Sequence, residues 1–170
     1  MLESDDFFRE TTLRICGSLQ IATAIASVFE YFKLHFPIIG LSLIIRDEDL
    51  GAIRRIALAT DNQEEYPEEI LPIPRDLWAQ IQIMAATMRE PHVLTPENNE
   101  LVRKLTALFK MKDRADLILP LWMDDQLRGA LSLRASQDGC FTERHIELLA
   151  GVSRPDRKST RLNSSHITIS

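Results

Sequence analysis

The stretch Leu119-Pro-Leu-Trp-Met-Asp-Asp-Gln-Leu-Arg-Gly-Ala-Leu-Ser-Leu133, with Phe141-Thr-Glu-Arg-His-Ile-Glu-Leu-Leu-Ala150 behind it, decides the fold. Two β-type runs, Ala115 to Met123 and Gln126 to Ala135, flank Asp124-Asp125, so a tight antiparallel hairpin is expected. Pro120 suits a position where no ladder donor is needed, and Gly129 permits close backbone approach or a bulge. Thr142 then caps a last helix whose Ile146, Leu149 and Val152 face inward.

Upstream, the same signals recur. Gly40 to Arg46 and Ala52 to Thr60 are β-type runs separated by Asp47-Glu-Asp-Leu-Gly51, a second hairpin. Asp61 to Glu69 is a polar loop, and the two prolines of Ile70-Leu-Pro-Ile-Pro74 limit that run to a short edge strand. A helix starting at Pro74 carries Leu77, Trp78, Ile81, Ala85 and Met88 on one face and ends near Glu90-Pro91. Val93-Leu94 forms a brief extended link. Thr95-Pro96 then reads as an N-cap with proline at the first helical position, opening a helix with Leu101, Val102, Leu105, Leu108 and Phe109 on one side. At the N-terminus, Ser4-Asp5-Asp6 supplies a cap, and Phe8, Ile15, Leu19, Ile25, Phe29 and Phe32 fall at helical spacing, with Gly17-Ser18 dividing two helices and the second reaching about His35. Hairpins at both ends of the sheet predict an antiparallel α+β domain rather than a doubly wound parallel one.

The chain has 170 residues, 45% hydrophobic and 26% charged, and such a length buries a single core without metal or disulfide support. Two cysteines, Cys16 and Cys140, make no disulfide framework, and no run approaches a membrane span. The N-terminus is acidic and unlike a signal peptide, so a cytoplasmic protein is expected. The net charge of −5 offers no footprint for nucleic acid or anionic lipid.

The segment Asp156 to Ser170 abandons the helical pattern before it. It fits, codon by codon, a translated short-read sequencing adapter with its index. The expectation is therefore a domain over residues 1–155 with its last helix truncated, followed by a disordered artefact at 156–170; a genomic read encoding the tail would overturn it. Taking Arg157, Lys158 and Arg161 from the 20 basic side chains and Asp156 from the 25 acidic ones carries the net charge from −5 to −7.

On these motifs the chain resembles a GAF domain, a small-molecule-sensing module related to PAS domains, over nearly all of residues 5–154. The strand with proline, the turn, the strand with glycine and Phe141-Thr142 with Leu148-Leu149 are similar to the family's C-terminal pattern. Phe7-Phe-Arg-Glu-Thr-Thr-Leu-Arg-Ile-Cys-Gly-Ser-Leu19 and Leu50-Gly-Ala-Ile-Arg-Arg-Ile-Ala57 resemble, more narrowly, the N-terminal sensor domains of bacterial enhancer-binding, alternative-sigma-factor-dependent transcription activators. The resemblance implies a sheet of five to six antiparallel strands with helices on both faces and the terminal helices packed together. It also implies a non-catalytic sensor of an unidentified small-molecule effector, signalling to an output domain for transcription control and forming a homodimer through its terminal helices. This sequence contains no phosphate loop of the type G-x-x-x-x-G-K-[ST] and no basic recognition helix.

His35, His92 and His145 are far apart and show no two-histidine metal spacing, and the pairs Asp47/Asp49 and Asp124/Asp125 sit where turns favour aspartate. No metal site is expected, and the cofactor is unknown. The sequence lacks the clustered cysteines of the methionine-sulfoxide-reducing relatives, the Cys-His pair of the tetrapyrrole-attaching ones, and the N-K-x-n-F-x-x-x-D-E signature of the cyclic-nucleotide binders. Cys16 is expected to behave as a small hydrophobe, whereas Cys140, ahead of the last helix, is the one residue on which a redox enzyme would rest. In GAF-like folds the ligand cavity lies between a sheet face and the helices crossing it. The resemblance thus nominates Leu43, Trp78, Met84, Phe109, Leu119 and Leu121 as its walls and Arg114 as a partner for an anionic ligand. The competing expectation is a dimerisation module whose cavity is filled by side chains.

Overall fold

The computed structural model describes residues 2–17, 19–62, 66–136 and 140–153. The segment read as translated adapter, the side chain of Cys16 and the Ser18 half of the interhelical break lie outside them. The elements are α1 (Leu2–Cys16), α2 (Ile21–Phe32), β1 (Ile38–Asp47), β2 (Ala52–Thr60), β3 (Glu69–Pro72), α3 (Arg75–Thr87), β4 (His92–Leu94), α4 (Glu100–Leu108), β5 (Asp116–Met123), β6 (Gln126–Ala135) and α5 (Glu143–Ser153). The strands form one six-stranded sheet in the order β3-β2-β1-β6-β5-β4, with every neighbouring pair antiparallel. This is the expected α+β architecture, with helices on both faces.

The hairpin that decides the fold closes at the pair Met123 and Gln126, and Asp124 and Asp125 adopt φ of 51° and 58°. Both central residues thus take the left-handed conformation that a two-residue primed turn needs. In the β1–β2 turn Gly51 has φ of 58°, and the Asp47 carboxylate accepts the Leu50 N–H at 3.0 Å. Gly129 answers to a different demand: a Cβ there would lie 2.2 Å from the Ile44 carbonyl oxygen, because β1 passes directly over it. Pro120 pairs with Ala130 in β6 but lies beyond β4, whose last pairing is His92 with Ile118, so that edge demands no donor from it.

Strand alternation divides the apolar side chains between two layers. Leu41, Ala57, Ala59, Leu117, Leu119, Leu131 and Leu133 face α1, α2 and α5, where they meet Val28, Phe29, Phe32 and Leu149. α1 packs against both α2 and α5, so the terminal helices are together as expected. On the other face, Leu77 and Ile81 of α3 and Leu101 of α4 form a smaller cluster with Ile73, against which Ile53 of β2 packs.

Three local expectations change. The α1 residue driven into the core is Phe7, 1% exposed, which stacks on Phe32 at 5.0 Å and Tyr31 at 5.5 Å, whereas Ile15 is exposed and Leu19 lies between the helices in solvent. Ser4 lies inside α1, not at its cap, and its Oγ approaches the Cα side of Gly151 in α5. The helix expected from Thr95 begins instead at Glu100, where the Asn99 carboxamide accepts the Val102 N–H at 3.1 Å. Thr95 and Asn98 instead close a separate turn by exchanging N–H donors with each other's side-chain oxygens at 2.9 and 3.0 Å.

Candidate ligand-binding site

Between the sheet and the α3/α4 layer lies a cavity of about 570 Å³, within the usual size range for small-molecule sites. Its floor comes from Ser42 and Ile44 of β1, Leu58 and Thr60 of β2, Ile118 and Pro120 of β5, and Ala130 and Ser132 of β6. Its roof is Ile81, Met84, Ala85 and Met88 around α3, with Val102, Leu105, Thr106 and Phe109 around α4. The roof is tied down at one end: the Trp122 indole N–H donates to the Met88 carbonyl at 3.0 Å, and the Arg89 guanidinium stacks 3.4 Å above the Trp122 ring centroid.

Two bulges set what reaches this floor. In β2 the register steps from Leu43 opposite Ala57 to Ile44 opposite Arg55, leaving Ile56 as an extra residue. That step reverses the strand's parity, so Leu58 and Thr60 on one side of it and Ile53 and Arg55 on the other all line the cavity. In β6 the step from Gly129 to Leu127 leaves Arg128 as the extra residue and brings Leu127 to the cavity.

Of the nominated residues, Met84, Phe109 and Arg114 line the cavity. Leu43, Leu119 and Leu121 do not; they face the α1/α2/α5 layer, Leu119 being fully buried there. The reason is the period of two: their immediate neighbours Ser42, Ile44, Ile118 and Pro120 take the cavity side. Trp78 also stays outside, packed against the Ile73–Leu77–Ile81 cluster with Arg46 5.9 Å from its ring. The missed residues had a signal in the sequence. Ser42, Arg46, Thr60, Asp116, Ser132 and Arg134 are polar side chains inside strands whose alternate positions are mostly apolar, the pattern of a face that borders something other than a dry core.

Charge is placed at both ends of the cavity. Gly40 pairs with Arg134, which pairs with Asp116, so this ion pair lies at one end; Arg46 lies six residues along β1, roughly 20 Å at 3.3 Å per residue, with Arg55, opposite Ile44, two residues nearer. Arg134 donates to Asp116 at 3.1 Å and to the Lys112 carbonyl. Burial nonetheless pushes the Asp116 carboxyl up to about 6, outweighing the opposing pull of Arg134. At the other end Arg46 pairs with Glu48 at 2.7 Å and Arg55 with Glu69.

The remaining candidates serve local structure. His145 accepts the Thr142 N–H on Nδ1 at 3.0 Å, closing the first turn of α5, and burial holds its pKa below the ordinary value. His92 is exposed and bonded to the Glu90 carbonyl, and Cys140 is exposed with a free thiol. Among the described residues, no group of three or more His, Cys, Asp or Glu side chains is gathered to hold a metal. No helix among them is long and apolar enough to cross a membrane.

No protein-family model and no curated protein matches the sequence. Solved structures do match the fold. The phycocyanobilin-bound GAF domain of a cyanobacterial phytochrome superposes with a TM-score of 0.64 at 15% identity, covering 97% of this chain and 96% of that one. The chain has the fold of GAF domains. The chromophore-binding domain of Stigmatella aurantiaca bacteriophytochrome gives a TM-score of 0.65 at 14% identity over 92% of this chain, which spans 59% of that longer chain. The nlh2 GAF domain of A. aeolicus in an inactive state gives 0.56 at 10% identity, covering 89% and 88%.

Proposed function

We propose that residues 1–155 are a non-catalytic sensory domain that binds a small molecule between the sheet and the α3/α4 layer. The observation that carries this reading is the cavity of about 570 Å³, walled mainly by apolar side chains with a few polar groups converging on it. It favours sensing over a module whose interior is filled. Because alternate residues of the same strands face the cavity and the α1/α2/α5 layer, a ligand that favours one strand arrangement biases the packing of the terminal helices. The exposed Leu13, Leu19 and Ile21 at the α1–α2 corner support a homodimer formed through those helices, and the narrower resemblance supports an output in transcription activation.

The test is a thermal-shift survey of small molecules on the protein and on Ser132→Phe, which places a ring in the cavity. A ligand that raises Tm of the parent and not of the variant is the expected result; one that acts equally on both overturns the site. No turnover of a disulfide substrate through Cys140 is expected; turnover would replace sensing with redox catalysis.

A further inference from the structure

The arginines at the β1–β2 end of the cavity narrow its ligand. Arg46 and Arg55 both line it and sit on the same face of the β1–β2 ladder as diagonal neighbours, Arg46 opposite Ile53 and Arg55 opposite Ile44. The Nε atom of each is shielded from solvent and has no hydrogen-bond acceptor. A buried N–H without a partner is destabilising and rare, and two on arginines at diagonal positions of one ladder face, both lining one cavity, point to a common acceptor.

The surroundings agree. The lining holds Arg46, Arg55, Lys112, Arg114 and Arg134 against, among the described residues, the single carboxylate of Asp116. This occurs in a chain whose net charge is −5, so the positive charge is specific to the cavity. At the far end Arg134 is already engaged by Asp116 and the Lys112 carbonyl. At the near end the partners of Arg46 and Arg55 are Glu48 and Glu69, carboxylates with side chains 69% and 46% exposed, which water or another anion displaces readily.

We infer that Arg46 and Arg55 form the anion-binding pole of the cavity, and that its ligand is an amphipathic oxyanion, with a carboxylate or phosphate between the two guanidinium groups and an apolar body under Met84 and Phe109. Two arginine forks recognise such a group through paired charge-assisted donors. This inference rests on the sensing reading and deepens it.

Its test compares 8-anilinonaphthalene-1-sulfonate with uncharged N-phenyl-1-naphthylamine, followed by fluorescence on the full chain. Both probes are expected to bind the parent and neither to bind Ser132→Phe. Arg46→Met/Arg55→Met should weaken the anionic probe about tenfold and leave the neutral one within twofold, whereas Glu48→Gln/Glu69→Gln, which removes the competing carboxylates, should tighten the anionic probe alone. Competition by decanoate and by monodecyl phosphate then identifies which oxyanion is preferred. Equal response of the two probes to the charge variants overturns the anion pole while leaving the cavity intact. Binding of neither probe, or binding indifferent to Ser132→Phe, overturns the sensing site itself.

Discussion

Asp124 and Asp125 show how a single backbone demand selects residues. Both have positive φ, a conformation that costs a non-glycine residue on the order of 1 kcal/mol. Asp125→Gly should therefore raise stability by about 0.5–1 kcal/mol in urea unfolding without altering the hairpin. Gly129 is the opposite case, where any side chain collides with the β1 backbone. Gly129→Ala should cost about 1–3 kcal/mol, because the carbonyl of Ile44 cannot yield without moving the strand. Leu119 and Ile118, adjacent in sequence, should part company under truncation. Leu119→Ala opens a void in the main core and should cost about 2–5 kcal/mol, whereas Ile118→Ala only enlarges an existing cavity and should cost about 1 kcal/mol.

At the scale of elements, the capping of α4 tests which of two start signals the helix obeys. Thr95-Pro96 has the composition of a helix start, yet Asn99 holds the Val102 N–H and Thr95 is occupied with Asn98. Asn99→Ala should cost about 1 kcal/mol and loosen α4 over the cavity, while Thr95→Ala should leave helix content unchanged by circular dichroism. Element type and order were legible from periodicity, proline and glycine, down to the short edge strand before α3 and the extended link that became β4. Helix ends were less so, because several side chains within a few residues can satisfy the same backbone donors and the winner depends on what else each one touches.

For the whole molecule, acid stability contains two opposed contributions. Asp116 has a folded pKa of about 6, above its unfolded value of 3.8, so its contribution is fully present below about pH 4 and is lost as pH rises through about 6. His145 has a lowered folded pKa, so its contribution is present above about 6.5 and is lost as pH falls below that value. Stability measured from pH 4 to 7 should therefore rise toward acid in His145→Gln relative to the parent. Asp116→Asn, which keeps the carboxyl's neutral form, should remove a dependence on the order of 2–3 kcal/mol across the same range. A parent and Asp116→Asn with parallel profiles would show that the carboxyl titrates unperturbed.

The antiparallel α+β class, the two hairpins and the roles of Pro120, Gly129 and Thr142 were determined by the sequence alone, since each depends on local periodicity or on the chemistry of one backbone position. The side of the sheet that carries the cavity was decided only by the tertiary structure. Leu43, Leu119 and Leu121 are as apolar as any cavity wall, and a period of two identifies two faces without saying which one the long helices cover. The bulge at Ile56 then brings Arg55 to the cavity face beside Arg46, across a turn from it in the chain. No local pattern reports that meeting, because it depends on a register shift between strands rather than on either strand's own residues.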